Sequence, residues 1–191
     1  MTGRTHDLAA FTSLSLVVIS MPPIQMTLAT GIVALGANLL GGLAPDIDQP
    51  TAAFWHTFPA GSIVGRVITP MLGGHRFISH SALGIVLFGF LLSLFLNLIK
   101  GVLIVDMHVV WWAFMIGFVS HLIMDTFTKE GVFWLFPIPI RIGIPPIRLF
   151  RITTGGLIEK SFVFPGLILL NAYIYYHHYS FFLHFIKDYI K

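Results

Sequence analysis

The sequence predicts an all-α integral membrane protein, a bundle of about five hydrophobic helices with two polar loops on one face. Hydrophobic residues make up 56% of the 191 residues, charged residues make up 10%, and the mean hydropathy is +0.87. Soluble domains carry about 25% charged residues. Apolar runs near the length of about 20 residues that a spanning helix needs recur along the chain. The length suits one domain, residues 1–191.

Prolines and polar segments delimit the predicted helices. The first is short and contains Ser and Thr, so we expect it to dip into the membrane or to pack inside the bundle. It resembles a signal peptide but lacks a small-residue cleavage site, and we expect it to be retained. From the N-terminus, the helices cover about residues 7–20, 24–43, 78–99, 107–127 and 162–186.

Two polar loops remain, at residues 45–77 and 128–161. The second contains FPIPIRIGIPPIRLF, whose prolines break helices and whose alternation favours extended or hairpin structure at the membrane surface. With five spans, the N-terminus and both loops lie on one side. That side holds Arg4, Arg66, Arg76, Lys129, Arg141, Arg148, Arg151 and Lys160, against Lys100, Lys187 and Lys191 on the other. The excess of basic residues on the side of the N-terminus and the two loops predicts that this side is the cytoplasmic face of the cell (inner) membrane.

Candidate metal ligands gather at helix ends on this same side. Imidazole nitrogens and carboxylate oxygens bind zinc, manganese and iron, and carboxylates can bridge two ions about 3.5–4 Å apart. We therefore expect a site for divalent metal ions, two of them, with zinc the first choice and manganese or iron as alternatives. The candidate ligands are His6, Asp46, Asp48, His75, His80, His121, Asp125 and Glu159.

The pair in GFVSHLIMDTFT shows why a structural interpretation also stays open. His121 and Asp125 lie one turn apart on one helix face, and ionisable residues in a bilayer are costly. They either satisfy each other as a buried pair or face a site that needs them. The other candidates have similar alternatives, such as turn formation for Asp46 and Asp48.

These motifs resemble the YdjM-like family of membrane-bound, predicted metal-dependent hydrolases. The resemblance covers residues 6–160 and rests on His6, APDIDQP, GGHRFISHS, GFVSHLIMDTFTKEGV and Glu159. Gln49 stands where the family often has His, Phe77-Ile78 replaces a Gly-containing pair, and Lys129-Glu130 replaces the usual Pro. The His-x3-Asp element and the acidic pair are also similar to zinc-dependent phospholipase C enzymes. The resemblance implies a metal-dependent hydrolase.

The leading hypothesis is therefore hydrolysis of a phosphoester, of a lipid or lipid-linked molecule, at the cytoplasmic membrane surface. In it a metal-activated water attacks phosphorus, Asp48 is the general base, and Arg66 and Arg76 hold phosphate oxygens. Two alternatives are a metal transporter and a membrane protein with a structural or regulatory metal site. A transporter would place ligands at mid-membrane depth, and a structural site would be closed with four ligands.

The absence of particular residues and motifs excludes several kinds of functional site. The chain has no Cys, so disulfides, thiolate zinc sites and cysteine nucleophiles are ruled out. It also lacks H-E-x-x-H, G-x-S-x-G and a G-x4-G-K loop. The basic residues flank membrane segments, so we expect membrane lipids and a phosphoester substrate as partners and no nucleic acid.

Overall fold

The computed structural model describes residues 1–21, 26–49, 55, 61, 63, 65–66 and 78–189. Six α-helices are described in this part of the chain: α1 (Gly3–Ser20), α2 (Leu28–Leu43), α3 (Ala82–Ile99), α4 (Met107–Thr126), α5 (Phe164–His177) and α6 (Tyr179–Tyr189). A 3-10 helix (Ala44–Asp48) follows α2, a second (Arg148–Phe150) lies in the loop before α5, and a π-helical turn (Glu159–Val163) leads into α5.

The predicted fold class is confirmed. Where residues are described, no strand is present, and the loop before α5 contains two isolated bridges, Thr128 with Ile152 and Val132 with Ile142. The bridge between Val132 and Ile142 is antiparallel, but it joins the FPIPIRIGIPPIRLF segment, where extended or hairpin structure was expected, to a residue before that segment, and it does not extend into a ladder.

The predicted helix positions agree with the structure, and the boundaries differ for local reasons. The first helix begins four residues earlier than expected, at Gly3, because the polar GRTH segment that follows the extended N-cap residue Thr2 belongs to it. The third begins at Ala82, since the Ser81 hydroxyl caps it by accepting a hydrogen bond from Gly84 N at 3.0 Å. The last predicted helix is divided at His178, so the count of five is approximate.

Within the described ranges, three helices are long and apolar enough to cross a membrane. They are Leu28–Asp48, Ala82–Ile99 and Met107–Thr126, where the first combines α2 with the 3-10 helix after it. Helix α1 packs against α2 and α4, α3 packs against α4, and α5 packs against α1. A small core of Ala44, Phe118, Leu122 and Val132 joins the ends of α2 and α4 to the loop after α4.

Two glycines allow α2 and α4 to meet backbone to backbone. A Cβ atom added to Gly41 would lie 2.0 Å from the Phe114 carbonyl oxygen, and one added to Gly117 would lie 2.0 Å from the Asn38 carbonyl oxygen. Asn38 also donates from Nδ2 to the Ala113 carbonyl at 3.0 Å. Small residues and interhelical hydrogen bonds of this kind drive helix association in membranes.

Replacing Gly41 by Ala should therefore separate α2 from α4. We expect Gly41→Ala to lower the free energy of unfolding in detergent by about 1–3 kcal/mol or more, because the new methyl group cannot fit. Gly36→Ala is the matched control in the same helix, since nothing lies within 4 Å of its Cβ position. Equal thermal unfolding midpoints for the two variants would contradict this account of the packing.

Candidate metal centre

Four donor atoms from three separate parts of the chain converge at the ends of α2, α3 and α4. Asp46 Oδ1 lies 3.7 Å from His80 Nε2 and 3.6 Å from His121 Nε2. Asp125 Oδ2 lies 3.8 Å from each of the same two nitrogens. With bonds of about 2.0–2.2 Å, the ligand atoms of a tetrahedral zinc site are about 3.4 Å apart. The observed distances exceed this value by a few tenths of an ångström.

Burial distinguishes this cluster from a set of surface charges. The side chains of His80, His121 and Asp125 are 0–1% exposed, whereas that of Asp46 is 24% exposed. His121 Nε2 is buried and has no hydrogen-bond partner among the described residues. An unsatisfied buried polar atom costs about 1–3 kcal/mol. A divalent ion would satisfy this nitrogen and neutralise the carboxylates, so the residues fit a metal site.

The second nitrogen of each imidazole fixes the direction of the first. His121 Nδ1 lies 2.6 Å from the Gly42 carbonyl oxygen, which can only accept, so Nδ1 carries the hydrogen and Nε2 keeps its lone pair. His80 Nδ1 lies 3.0 Å from Ser79 Oγ and 3.3 Å from Asp48 Oδ2. The Ser79 hydroxyl in turn donates to Asp48 Oδ2 at 2.5 Å. Partners of this kind orient metal-binding histidines.

Asp125 connects this cluster to the N-terminal helix. Its Oδ1 atom lies 3.3 Å from His6 Nε2 and also contacts the Met1 ammonium group. The His6 ring stacks on that of His121, with centroids 3.6 Å apart and an interplanar angle of 9°. Donor atoms of His6, His121 and Asp125 form a second group that could hold an ion. The two oxygens of Asp125 therefore face different groups, as in a carboxylate that bridges two metals.

Local sequence explains how the helix ends reach one another. Gly42 approaches α1, where a Cβ atom would lie 3.0 Å from Ala10 Cβ, and its carbonyl holds His121. The 3-10 helix then continues α2 and places Asp46 at the cluster. Trp134 links α3 and α4: its indole Nε1 donates to Thr126 Oγ1 at 2.9 Å, and its carbonyl accepts from Ala82 N at 3.0 Å.

The structure gathers most of the residues that the sequence singled out. It brings together His6, Asp46, Asp48, His80, His121 and Asp125. His75 and Arg76 lie outside the described residues. Arg66 is exposed and makes no described contact with the cluster. Two participants were not expected from sequence: Ser79, which resembles any serine near a helix start, and the Met1 ammonium group.

Glu159 makes a different set of contacts from the other candidates. Its Oε1 atom accepts from Thr2 N at 2.7 Å, Thr2 Oγ1 at 2.8 Å and Thr5 Oγ1 at 2.6 Å. Its Oε2 atom accepts from Gly155 N at 2.7 Å. Burial raises the pKa of Glu159, but these hydrogen bonds outweigh it and hold the pKa below its ordinary value. Glu159 belongs to neither group of potential ligands.

Comparison with known proteins identifies the family. The model of the YdjM inner membrane protein family matches residues 1–184. The chain belongs to this family. It is 30% identical over 181 residues to the uncharacterized protein YvsG of Bacillus subtilis (strain 168), an alignment that covers 92% of this chain and 95% of YvsG. No solved structure matches the chain. The family resemblance seen in the sequence is thereby confirmed.

We expect this YdjM family protein to retain divalent metal through purification in detergent. His121→Ala and His80→Ala should lose the metal, because each removes a nitrogen that lies within 3.8 Å of both Asp46 and Asp125. His108→Ala is the control, since that exposed histidine lies at the other end of α4. Metal content per chain, measured by mass spectrometry, checks this. Unchanged content in the first two variants would contradict the assignment.

The lowered pKa of Glu159 predicts a pH-dependent contribution to stability. A carboxylate with a depressed folded-state pKa stabilises the fold above its unfolded pKa, and this contribution is lost as the pH falls through the folded-state pKa. The stability advantage of the wild type over Glu159→Gln should therefore be full at pH 7 and shrink below about pH 4.5. Asn171→Ala, which removes a hydrogen bond to Thr12 of α1 but no carboxylate, is the control and should show no such dependence on pH. Thermal unfolding across pH measures both.

Proposed function

We propose that this protein is a membrane-bound, metal-dependent hydrolase that cleaves a phosphoester of a lipid or lipid-linked molecule. The observation that supports it most is that Asp46 Oδ1 and Asp125 Oδ2 each lie 3.6–3.8 Å from both His80 Nε2 and His121 Nε2. A divalent ion bound there would acidify a water molecule and stabilise negative charge on phosphoryl oxygens. Asp125 Oδ1 and His6 Nε2 would contribute to a second ion site.

Asp48 suits the role of an orienting residue better than that of a general base. It is fully buried, accepts from Ser79 and faces His80 Nδ1, so its carboxylate fixes the direction in which His80 Nε2 points. In this proposal Asp46, His80, His121 and Asp125 hold the metal, while Asp48 and the Gly42 carbonyl hold the imidazoles. Asp46 is the partly exposed member, so the substrate approaches from its side.

The position of the cluster supports a lipid substrate and argues against transport. It lies at the end of Leu28–Asp48, directly before Ala82–Ile99 and in the last turns of Met107–Thr126, the three helices that could cross a membrane. A site at the ends of spans is level with lipid headgroups, whereas transporters place their ligands near mid-membrane. The excess of basic residues on this side of the chain supports the cytoplasmic face of the inner membrane.

A structural or regulatory metal site is the second candidate. It is favoured by one observation, namely that the side chains of His80, His121 and Asp125 are only 0–1% exposed, as in a closed structural site. The two candidates differ in one respect that can be measured. A hydrolase turns over a phosphoester in a metal-dependent way, whereas a structural site holds metal without turnover.

The test is hydrolysis by detergent-purified protein loaded with zinc, manganese or iron. Phospholipids of several headgroup classes and soluble phosphomonoesters are offered, and released headgroup or phosphate is measured by mass spectrometry. We expect turnover of at least one phosphoester by the wild type and by His108→Ala, and none by His121→Ala or Asp46→Asn. Full metal content without turnover of any substrate would favour the structural site.

Asp48→Asn separates orientation from ligation. We expect metal binding to weaken by about 10–100-fold without being abolished, because the amide leaves the four donor atoms in place but holds His80 less firmly. Asp46→Asn, which alters a donor atom itself, should weaken binding further. Titration of metal-free protein with zinc measures both affinities. Equal losses in the two variants would contradict the orienting role.

A further inference from the structure

We propose that Glu159 is a positioning residue that fixes the N-terminal turn of α1 and thereby holds His6 at the metal centre, without binding the ion itself. This inference rests on the proposed metal site and assigns a role that the sequence does not reveal. From its motif, Glu159 looks like one more ligand. Its contacts instead indicate that it holds in place the segment that carries His6.

The first argument is that protein donors already occupy most of the acceptor sites of the Glu159 carboxylate. Oε1 receives three hydrogen bonds of 2.6–2.8 Å from Thr2 and Thr5, and Oε2 receives one of 2.7 Å from Gly155 N. Each carboxylate oxygen offers about two lone-pair sites, so Oε1 is saturated. The residue is 1% exposed. A buried carboxylate with this many donors has the partners that its charge requires, and it needs no metal ion to satisfy it.

The second argument is the path from Glu159 to His6. Thr5 is the neighbour of His6, and the Thr2 carbonyl accepts hydrogen bonds from both Thr5 N at 3.0 Å and His6 N at 3.1 Å. Glu159 therefore accepts hydrogen bonds from Thr2 and Thr5, the residues that form the first helical turn with His6. Its negative charge also lies at the N-terminus of α1, where the helix dipole favours it.

The third argument is what His6 requires. Its ring lies parallel to His121 at a centroid distance of 3.6 Å, and its Nε2 atom lies 3.3 Å from Asp125 Oδ1. The first turn of a helix frays easily unless it is held. A second tie between α1 and α5, from Asn171 Nδ2 to Thr12 Oγ1 at 2.7 Å, lies almost two turns further on and does not constrain this turn.

The experiment compares Glu159→Gln, Thr5→Val and Thr5→Ser with Asn171→Ala as the control that loosens the same pair of helices elsewhere. Two quantities are measured at a temperature where each protein is folded. One is the modification of His6 by diethyl pyrocarbonate in metal-free protein, located by peptide mass spectrometry, with exposed His177 as the internal standard. The other is the affinity and stoichiometry of zinc.

We expect Glu159→Gln and Thr5→Val to make His6 reactive, while the wild type, Thr5→Ser and Asn171→Ala stay protected. Zinc binding should weaken by about tenfold or more in the same two variants. Glu159→Gln combined with His6→Ala should bind zinc no more weakly than His6→Ala alone, since both changes act on one residue.

Three results would overturn the proposal. Loss of zinc in Glu159→Gln with normal binding in Thr5→Val would make Glu159 a ligand. Additive losses in the double variant would show that it acts apart from His6. Continued protection of His6 in both Glu159→Gln and Thr5→Val would show that it does not position His6 at all. If the wild type binds no zinc, the proposed function fails, while the labelling of His6 still decides the role of Glu159.

Discussion

The backbone contact between α2 and α4 is the constraint on which the rest of the structure depends. Gly41 and Gly117 remove the side chains that would hold the two helices apart, and this places the end of α2 against the last turns of α4. Only at that separation can the Gly42 carbonyl reach His121 Nδ1 at 2.6 Å. The arrangement of the candidate metal ligands is thus a consequence of helix packing in an apolar environment, where close contact drives association.

The cluster would be costly without a compensating charge. Buried carboxylates are destabilising unless they are paired, and those of Asp48 and Asp125 are almost fully enclosed. The Ser79 hydroxyl donates a hydrogen bond to Asp48, and the Met1 ammonium group pairs with Asp125. The Nε2 atoms of His80 and His121, in contrast, lie 3.6–3.8 Å from carboxylate oxygens of Asp46 and Asp125. These side chains form groups that could hold a metal ion.

Much of the fold could be predicted from the sequence, because hydropathy reports directly on burial in lipid. The helical class and the positions of the helices follow from apolar runs and prolines. The break at His178 could not be predicted, since YIYYHHYSFF is apolar and aromatic without a helix-breaking residue.

The candidate site was predictable as a set of residues, because chemistry-bearing residues at helix ends on one side must meet. The division of labour within the set was not predictable. Asp46 and Asp48 are two residues apart and chemically identical, yet one faces two imidazole Nε2 atoms and the other a serine and Nδ1. Glu159 is similar, because its role depends on Thr2 and Thr5, which lie more than 150 residues away in sequence.

Trp134 has a consequence for how the two central histidines are kept apart. The residue bonds with its side chain to the last turn of α4 and with its main chain to the first turn of α3. One rigid aromatic residue therefore fixes the spacing between the elements that carry His80 and His121. The loop after α4 thus helps to set the distance between the two imidazoles. A residue outside the set of candidate metal ligands therefore helps to fix the spacing of the elements that carry them.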